Sequence, residues 1–210
     1  MTSTIAPSFD GLKEYNKINV IDVGSARASF LVELERYFDL ENVYAVGIDP
    51  LNHGVKDHYD KFYQACVDDV EEPTEMNFYM NTNDDQASSL CVPMEDNVSS
   101  FNEPFKVQVL NLNDIIDNDI PEGTIHYLKI DAEGKDLHIV KSLREDVLKR
   151  IKYIAIECPM TKPRLDGEYT KEQCIEYFKT INFEVFYVHD TNNGSDVSDV
   201  VFVNSGKLWK

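Results

Sequence analysis

The chain alternates short apolar runs with polar turns, and this alternation predicts an α/β fold. Residues 18–21 are apolar and rich in β-branched side chains, as in a buried strand. Small residues dominate positions 24–28, after which apolar side chains recur at helical spacing from Phe30 to Phe38. A strand, a tight turn and a helix in this order form the opening unit of nucleotide-binding α/β folds.

Later segments repeat the pattern and predict a mostly parallel sheet with an antiparallel last strand. The predicted strands cover residues 43–50, 62–67, 76–80, 105–112, 125–134, 152–157, 183–188 and 200–203. Helices are predicted over residues 135–150 and from Thr170, which forms a capping-box pattern with Gln173. Residues 71–104 are the least regular part and predict a β-rich insertion after the third strand, on the substrate side.

Length and charge narrow the classes of function. With 210 residues, the chain is long enough to form a single domain (residues 1–210) with a sizeable core. Its formal net charge of −18 would repel phosphate backbones, so nucleic acid is not expected as a partner. The simpler explanation of the acidic composition is that it keeps the protein soluble.

The cysteines and the N-terminus indicate the compartment. The four cysteines lack metal-ligand spacing and are expected to be buried thiols in a reducing environment. Residues 1–10 lack the basic start and apolar core of a signal peptide, and no apolar run approaches the length of a membrane span. We therefore expect a cytoplasmic protein without a membrane span.

Two positions in the predicted sheet indicate a ligand site. Gly24 permits a sharp turn and the close approach of a ligand, although Ala26 and Ala28 follow where a dinucleotide-binding turn has further glycines. Asp49 ends the second strand 25 residues later, close to the usual separation of about 20, where an acid can bind the hydroxyls of a ribose. The structural alternatives are a turn that only packs a helix on a strand and an Asp-Pro turn starter.

An ordered set of segments resembles the FkbM-type methyltransferase family. The segments are IDVGSARASF, AVGIDP, FYMNTNDDQASSL, YLKIDAEGKDLHIVKSL, IAIECP and DVVFVN, between Ile18 and Asn204. The most specific is Leu128–Leu143, which contains the family's Lys-Ile-Asp-x-Glu-Gly signature. The resemblance implies a Rossmann-like class I fold with a seven-stranded sheet, and S-adenosylmethionine (SAM) as cofactor. It also implies O-methylation of a sugar or of a polyketide-type product.

Two departures from the family bear on these expectations. The first turn has Ala28 where the family has a second glycine, which is tolerated if Ala28 keeps a negative φ. Few residues precede the first strand, where many methyltransferases have helices that close over the substrate. Either the chain is a domain of a longer protein, or closure falls to the insertion or to a partner.

The acids at the strand ends are the candidates for catalysis. Methyl transfer is an in-line displacement, and an alcohol needs a base near its oxygen. Asp131 projects from the same face of its strand as Lys129, and Glu157 ends the next strand in the family's sheet order. We expect Asp131 to be the base, with Glu157 as the second candidate, and Lys129 to pair with a buried acid. A divalent cation held by these acids is an alternative that we do not favour.

The expected cofactor-binding residues share a position at a strand end or in the turn after it: Asp22, Gly24, Ser25, Ala26, Asp49, Pro50, Asp68 and Glu133. Within this set, the turn after Gly24 would meet the methionine moiety, Asp49 the ribose and Asp68 the adenine amino group. Asp22 either contacts SAM or only orders the turn. Binding of the SAM amino group by Asp131 or Glu133 is the alternative to a role as base.

Ser88, Ser89 and His53 are the expected substrate contacts. Both serines lie in the family's Ser-Ser-Leu block, where a loop-stabilising role is an equal alternative. An isolated histidine is more often an ordinary surface or core residue. A carbohydrate hydroxyl is favoured as acceptor because the insertion is rich in Asn, Asp and Ser.

Two other classes of function stay open at this point. Nicotinamide-dependent oxidoreductases share the strand, the turn and the ribose acid, but the missing glycines and the antiparallel end argue against them. A non-catalytic methyltransferase-like scaffold in a larger assembly is the other class.

Overall fold

A seven-stranded sheet carries the fold of the computed structural model, which describes residues 6–94, 98–190 and 196–206. The strands are β1 (Ile18–Val23), β2 (Val43–Ile48), β3 (Lys61–Tyr63), β4 (Cys66–Val67), β5 (Thr74–Phe78), β6 (Phe105–Leu110), β7 (Ile125–Ile130), β8 (Ile151–Pro159), β9 (Phe183–Asp190) and β10 (Val197–Asn204). The α-helices within the described residues are α1 (Ser29–Leu34), α2 (Leu112–Asp119), α3 (Asp136–Ser142), α4 (Glu145–Leu148) and α5 (Lys171–Thr180).

The main sheet has the strand order β3-β2-β1-β7-β8-β10-β9. Its first five strands pair in parallel, so their carboxyl ends meet at one edge. β10 lies between β8 and β9 and is antiparallel to both. The predicted mostly parallel sheet with an antiparallel last strand is thus confirmed. The chain leaves β1 in one direction and β7 in the other, and ligands of open α/β sheets bind in the crevice at such a switch point.

Some predicted elements are shorter or divided in the structure. The strand predicted over residues 62–67 breaks at Gln64, so β3 pairs with β2 in the main sheet while β4 pairs with β6 in a smaller one. The helix predicted over residues 135–150 divides into α3 and α4 because Leu143 and Arg144 have extended backbones, with ψ of 132° and 150°. The apolar residues of α3 and α4 follow one continuous helical spacing, so the sequence pattern does not reveal the break between the two helices. The capping box of Thr170 and Gln173 is present as predicted.

The segment over residues 71–104 contributes one strand to the smaller sheet, whose order is β4-β6-β5. β5 pairs antiparallel with β6, and isolated bridges join Tyr79 to Ser89 and Asn81 to Phe101. The rest of its described part consists of loops and short 3-10 turns. This segment lies close to the carboxyl end of the main sheet, since the Ser89 hydroxyl donates to the carbonyl oxygen of Glu133.

Two apolar layers cover the main sheet. One contains buried side chains of α2 to α5, such as Ile116, Val140 and Phe178. The other contains Phe9 from the N-terminal segment and Leu34 from α1. All four cysteines are buried and free, as expected. Within the described ranges, no helix combines the length and the apolar character needed to cross a membrane.

Candidate active site

Gly24 forms a tight turn at the end of β1. Its φ is +69°, and a Cβ at this position would lie 1.8 Å from the carbonyl oxygen of Asp131. The amides of Gly24 and Ser25 donate to the carbonyl oxygen of Ile48 at 2.9 Å and 3.2 Å. Both the left-handed backbone and the lack of space therefore require glycine here.

Ala26 and Ala28 also adopt left-handed conformations, with φ of +41° and +56°. The negative φ under which alanine would be tolerated at position 28 is therefore not what the structure has. A left-handed backbone costs a residue with a Cβ roughly 1–2 kcal/mol. The Ala28 methyl group is buried in the apolar layer beneath α1, and this burial offsets part of the strain.

Asp49 holds this turn from the end of β2. Its Oδ2 accepts a hydrogen bond from the Ala26 amide at 2.8 Å, and its Oδ1 accepts one from the Leu51 amide at 2.8 Å. Burial raises the pKa of Asp49, and the two amides oppose this shift. Each carboxylate oxygen keeps a lone pair for a further donor, such as a ligand hydroxyl.

A cavity with about 780 Å³ of empty space, partly open to solvent, lies at the carboxyl ends of β1, β2 and β7. The predicted residues on its wall are Gly24, Ala26, Asp49, Pro50, His53, Ser88, Asp131 and Glu133. Apolar side chains complete the wall, among them Ile48, Leu51, Val67, Phe78 and Leu90. The other predicted residues, Asp22, Ser25, Asp68, Ser89 and Glu157, lie behind or beside this wall. The cavity has the mixed apolar and polar lining of small-molecule sites.

Asp22 belongs to a buried network beneath the turn. The Tyr59 hydroxyl donates to its Oδ2 at 2.6 Å, and the Lys129 ammonium lies 3.1 Å from its Oδ1. Lys129 also donates to the carbonyl oxygen of Gly24 at 2.6 Å and lies 3.5 Å from Asp131 Oδ2. Burial raises the pKa of Asp22, and the charge of Lys129 opposes this shift. The expected pairing of Lys129 with a buried acid is confirmed.

Three carboxylates converge where β7 and β8 end. One oxygen each from Asp131, Glu133 and Glu157 lies within 4.8 Å of the others. Arg164, from the loop after β8, contacts Glu157 at 2.8 Å and Glu133 at 3.5 Å. Arg164 also forms an ion pair with Glu168 at 2.9 Å. The spacing of the acids would admit a cation, but the guanidinium group already provides positive charge at this place.

Burial is the main cause of the raised pKa values of Glu133 and Glu157. Burial, with the nearby charge of Asp131, raises the pKa of Glu157 to about 7, although Arg164 opposes the shift. Burial and the charge of Glu157 raise the pKa of Glu133 well above its usual value. An acid with a pKa near 7 can exchange a proton at neutral pH, as general acid–base catalysis requires.

The substrate-side residues have structural contacts of their own. The Ser88 hydroxyl donates to the carbonyl oxygen of Asp85 at 2.7 Å, so Ser88 stabilises its loop as well as lining the cavity. Ser89 accepts from the Cys91 amide at 2.8 Å and thereby joins the insertion to the turn after β7. His53 Nδ1 lies 3.8 Å from Asp85, at the cavity wall.

Comparison with known proteins decides the family. The profile of the methyltransferase FkbM domain matches residues 13–192 of this chain. The chain belongs to the FkbM methyltransferase family. The resemblance inferred from the sequence segments is thereby confirmed. No curated protein matches the chain significantly.

Solved structures show that this FkbM-family chain shares its fold with class I methyltransferases. A methyltransferase FkbM from Methylobacillus flagellatus KT superposes with a TM-score of 0.55 and 11% identity, over 89% of this chain and 44% of that chain. The present chain thus spans less than half of that protein. Magnesium protoporphyrin IX methyltransferase (ChlM) from Synechocystis PCC 6803, with bound S-adenosylhomocysteine (SAH), superposes with a TM-score of 0.51 and 6% identity, over 96% and 80% of the two chains.

Several residues of the FkbM-family site escaped the sequence analysis. Tyr59 reaches Asp22 because Gly47 leaves room for its ring, where a Cβ would lie 2.7 Å from the ring atoms. A glycine inside a predicted strand is a signal of such close approach. Asp136, at the start of α3, accepts a hydrogen bond from the Glu157 amide at 3.2 Å. Arg164 has only its four-residue spacing to Glu168 as a signal, and this is too common to be specific.

Asp68 occupies a different environment from the one expected for an adenine contact. Its carboxylate forms an ion pair with Lys135 at 2.8 Å and accepts a hydrogen bond from the Asp69 amide at 2.9 Å. Lys135, rather than Asp68, lies on the cavity wall.

Proposed function

We propose that this FkbM-family chain is a SAM-dependent O-methyltransferase that methylates a hydroxyl group of a carbohydrate. One observation carries the proposal: Gly24, Asp49 and Asp131, from the ends of three adjacent strands, line the same cavity. Cofactor binding at the crevice of an open α/β sheet requires this convergence.

The cavity residues fit the chemistry of SAM. The carboxylate of Asp49 offers acceptors for two ribose hydroxyls, with Pro50 beside it on the wall. Leu51, Phe78 and Leu90 offer apolar surface suited to an adenine ring. The absence of a side chain at Gly24 lets a ligand approach the backbone. When bound, SAM supplies a methyl group on a positively charged sulfur that an oxygen nucleophile can attack.

The residues behind the wall support this cofactor site. Asp22 and Ser25 act through the turn rather than by facing the cavity. Asp68 acts through Lys135, which it holds at 2.8 Å. Glu133 lines the cavity and offers the oxygens of its carboxyl group as acceptors to the amino group of SAM.

The polar part of the cavity suits a hydroxyl-rich acceptor. His53, Asp85, Gln86 and Ser88 contribute donors and acceptors to its wall. Such groups can bind several hydroxyls at once, as a carbohydrate requires. Ser89 supports this side of the site through its hydrogen bond to Glu133.

Asp131 is the base in this proposal. Its side chain lines the cavity and is 42% exposed, so an acceptor hydroxyl can reach it. Glu157 lies behind it and contacts Arg164, which makes it the second candidate and a partner for the released proton. A general base of this kind typically accelerates a reaction about 10²–10⁴-fold.

Calorimetric titration with SAH, the demethylated product of SAM, tests the cofactor site. We expect the wild type to bind SAH and Asp49→Asn to bind it at least about tenfold more weakly, because one ribose acceptor becomes a donor. Asp60→Asn is the matched control, since Asp60 also accepts from a backbone amide, that of Ala45 at 2.8 Å, but does not line this cavity. Absence of SAH binding by the wild type would contradict the proposal.

A further inference from the structure

Lys129 is the cation at the centre of the proposed cofactor turn. Its ammonium group donates to the carbonyl oxygens of Gly24 at 2.6 Å and Val23 at 3.3 Å, and it lies 3.1 Å from Asp22 Oδ1 and 3.5 Å from Asp131 Oδ2. The contact with the Gly24 carbonyl is the shortest of the four. One side chain therefore joins the turn, the acid beneath it and the acid on the cavity wall.

Neutralising Asp22 explains only part of this arrangement. Asp22 is 1% exposed, and a buried carboxylate needs a charged or hydrogen-bonded partner. Any cation at this depth could meet that need without touching Gly24. The contact with the Gly24 carbonyl is nonetheless shorter than the contact with Asp22.

The carbonyl contact has a specific consequence for the turn. The amide of Gly24 donates to Ile48 on one side, and its carbonyl accepts from Lys129 on the other. Glycine has the largest backbone freedom of any residue, so a turn built on it is costly to order. Holding both polar groups of Gly24 before the ligand arrives removes this cost from binding.

We propose that Lys129 is a positioning residue for cofactor binding, which holds the Gly24 turn in its binding conformation by donating to the Gly24 carbonyl. The inference rests on the proposed SAM site. The proposed role of the contact between Lys129 and the Gly24 carbonyl is to raise the affinity for the cofactor, in addition to balancing the charge of Asp22. Lys129 itself needs no contact with the methyl group or with the acceptor.

Two double variants separate positioning from charge balance. Asp22→Asn removes the buried charge that Lys129 compensates, so the lysine can be replaced without leaving an unpaired carboxylate. The first variant combines Lys129→Met with Asp22→Asn and removes the donor to Gly24. The second combines Lys129→Gln with Asp22→Asn and keeps an N–H donor on a side chain as long as that of methionine. Thermal unfolding of both variants checks that they fold, and SAH calorimetry measures their affinities.

We expect the methionine variant to bind SAH at least about tenfold more weakly than the glutamine variant, as for the loss of one hydrogen bond. Equal affinities, within about twofold, would overturn the inference and reduce Lys129 to a counter-ion of Asp22. A wild type that binds no SAH refutes the cofactor site instead, so the two failures are distinct.

A measurement on the wild type covers the case in which neither variant folds. Nuclear magnetic resonance detects scalar coupling across a hydrogen bond between a lysine amino nitrogen and a carbonyl carbon. In the SAH complex of the wild type, coupling is expected between Lys129 Nζ and the Gly24 carbonyl carbon. A complex in which Lys129 couples to no carbonyl of this turn would overturn the inference.

Discussion

The Cα of Gly24 faces the carbonyl oxygen of Asp131 so closely that a Cβ would lie 1.8 Å from that oxygen. The Asp131 amide donates to the carbonyl oxygen of Val23 at 3.0 Å, which fixes the two strand ends against each other. The turn proposed to bind the cofactor and the acid proposed as base are therefore one packed unit. A change on either side is expected to reach the other.

Gly24→Ala tests this contact. The new methyl group meets Asp131 backbone, so either β1 or β7 must shift, and the left-handed backbone adds strain. We expect a loss of SAH binding and a marked fall in the melting temperature. Gly54→Ala is the control, since Gly54 has a similar φ of +77° but no atom within 4 Å of its added Cβ. If both variants unfold at the same temperature, the close contact has no energetic importance.

Glu157→Gln is expected to stabilise the protein at alkaline pH. The folded pKa of Glu157 is about 7, above its usual 4.5, so the folded state binds more protons than the unfolded state between these values. Its contribution to stability is therefore present below pH 4.5 and is lost as the pH rises through 7. A neutral glutamine avoids this loss, which amounts to about 2–4 kcal/mol.

Denaturant unfolding of the wild type and Glu157→Gln between pH 4 and pH 8 measures this effect. The difference in unfolding free energy should grow with pH in favour of the variant. Glu72→Gln, at an exposed position outside the carboxylate cluster, serves as the control. A difference that is constant or shrinks with pH would show that Glu157 is not destabilised by ionisation.

Asp131→Asn is expected to lower kcat about 10²–10⁴-fold, because the acceptor hydroxyl loses its base. The assay is mass spectrometry of methyl transfer from SAM to a panel of glycosides, with alcohols of the polyketide type as a comparison set. SAH affinity should fall much less than kcat. A variant that keeps kcat but loses SAH affinity would move Asp131 from the base role to the amino group of SAM.

Ala26→Gly is expected to raise the unfolding free energy by about 0.5–1 kcal/mol. Ala26 has a φ of +41°, and glycine removes the left-handed strain at the cost of some backbone entropy. Ala87→Gly is the control, because Ala87 lies in a right-handed 3-10 turn and its replacement should destabilise by about 0.5–1 kcal/mol. Shifts of the same sign in both variants would mean that the turn strain at Ala26 is absent.

Local pattern was sufficient to predict the strand, turn and helix that form the site, although not the left-handed backbones of Ala26 and Ala28. The strand, turn and helix around Gly24 and the acid at Asp49 come from segments close together in the chain, where periodicity and turn residues report directly on conformation. The signature around Asp131 placed a third strand end beside them. Such local conformation depends on residues that are neighbours in the chain, so the sequence pattern reveals it.

The tertiary structure decided which side chains face the cavity and which face each other. Arg164, in the loop after β8, reaches Glu133 because β8 runs parallel beside β7. Asp68, which follows β4 in the smaller sheet, pairs with Lys135, which precedes α3. Such contacts join residues from separate elements, and their energies depend on burial that no single segment determines. The sequence by itself therefore determined the family, the mostly parallel sheet with its antiparallel last strand, and the positions of Gly24 and Asp49. The ion pairs that set the charge of the site come from packing between distant segments.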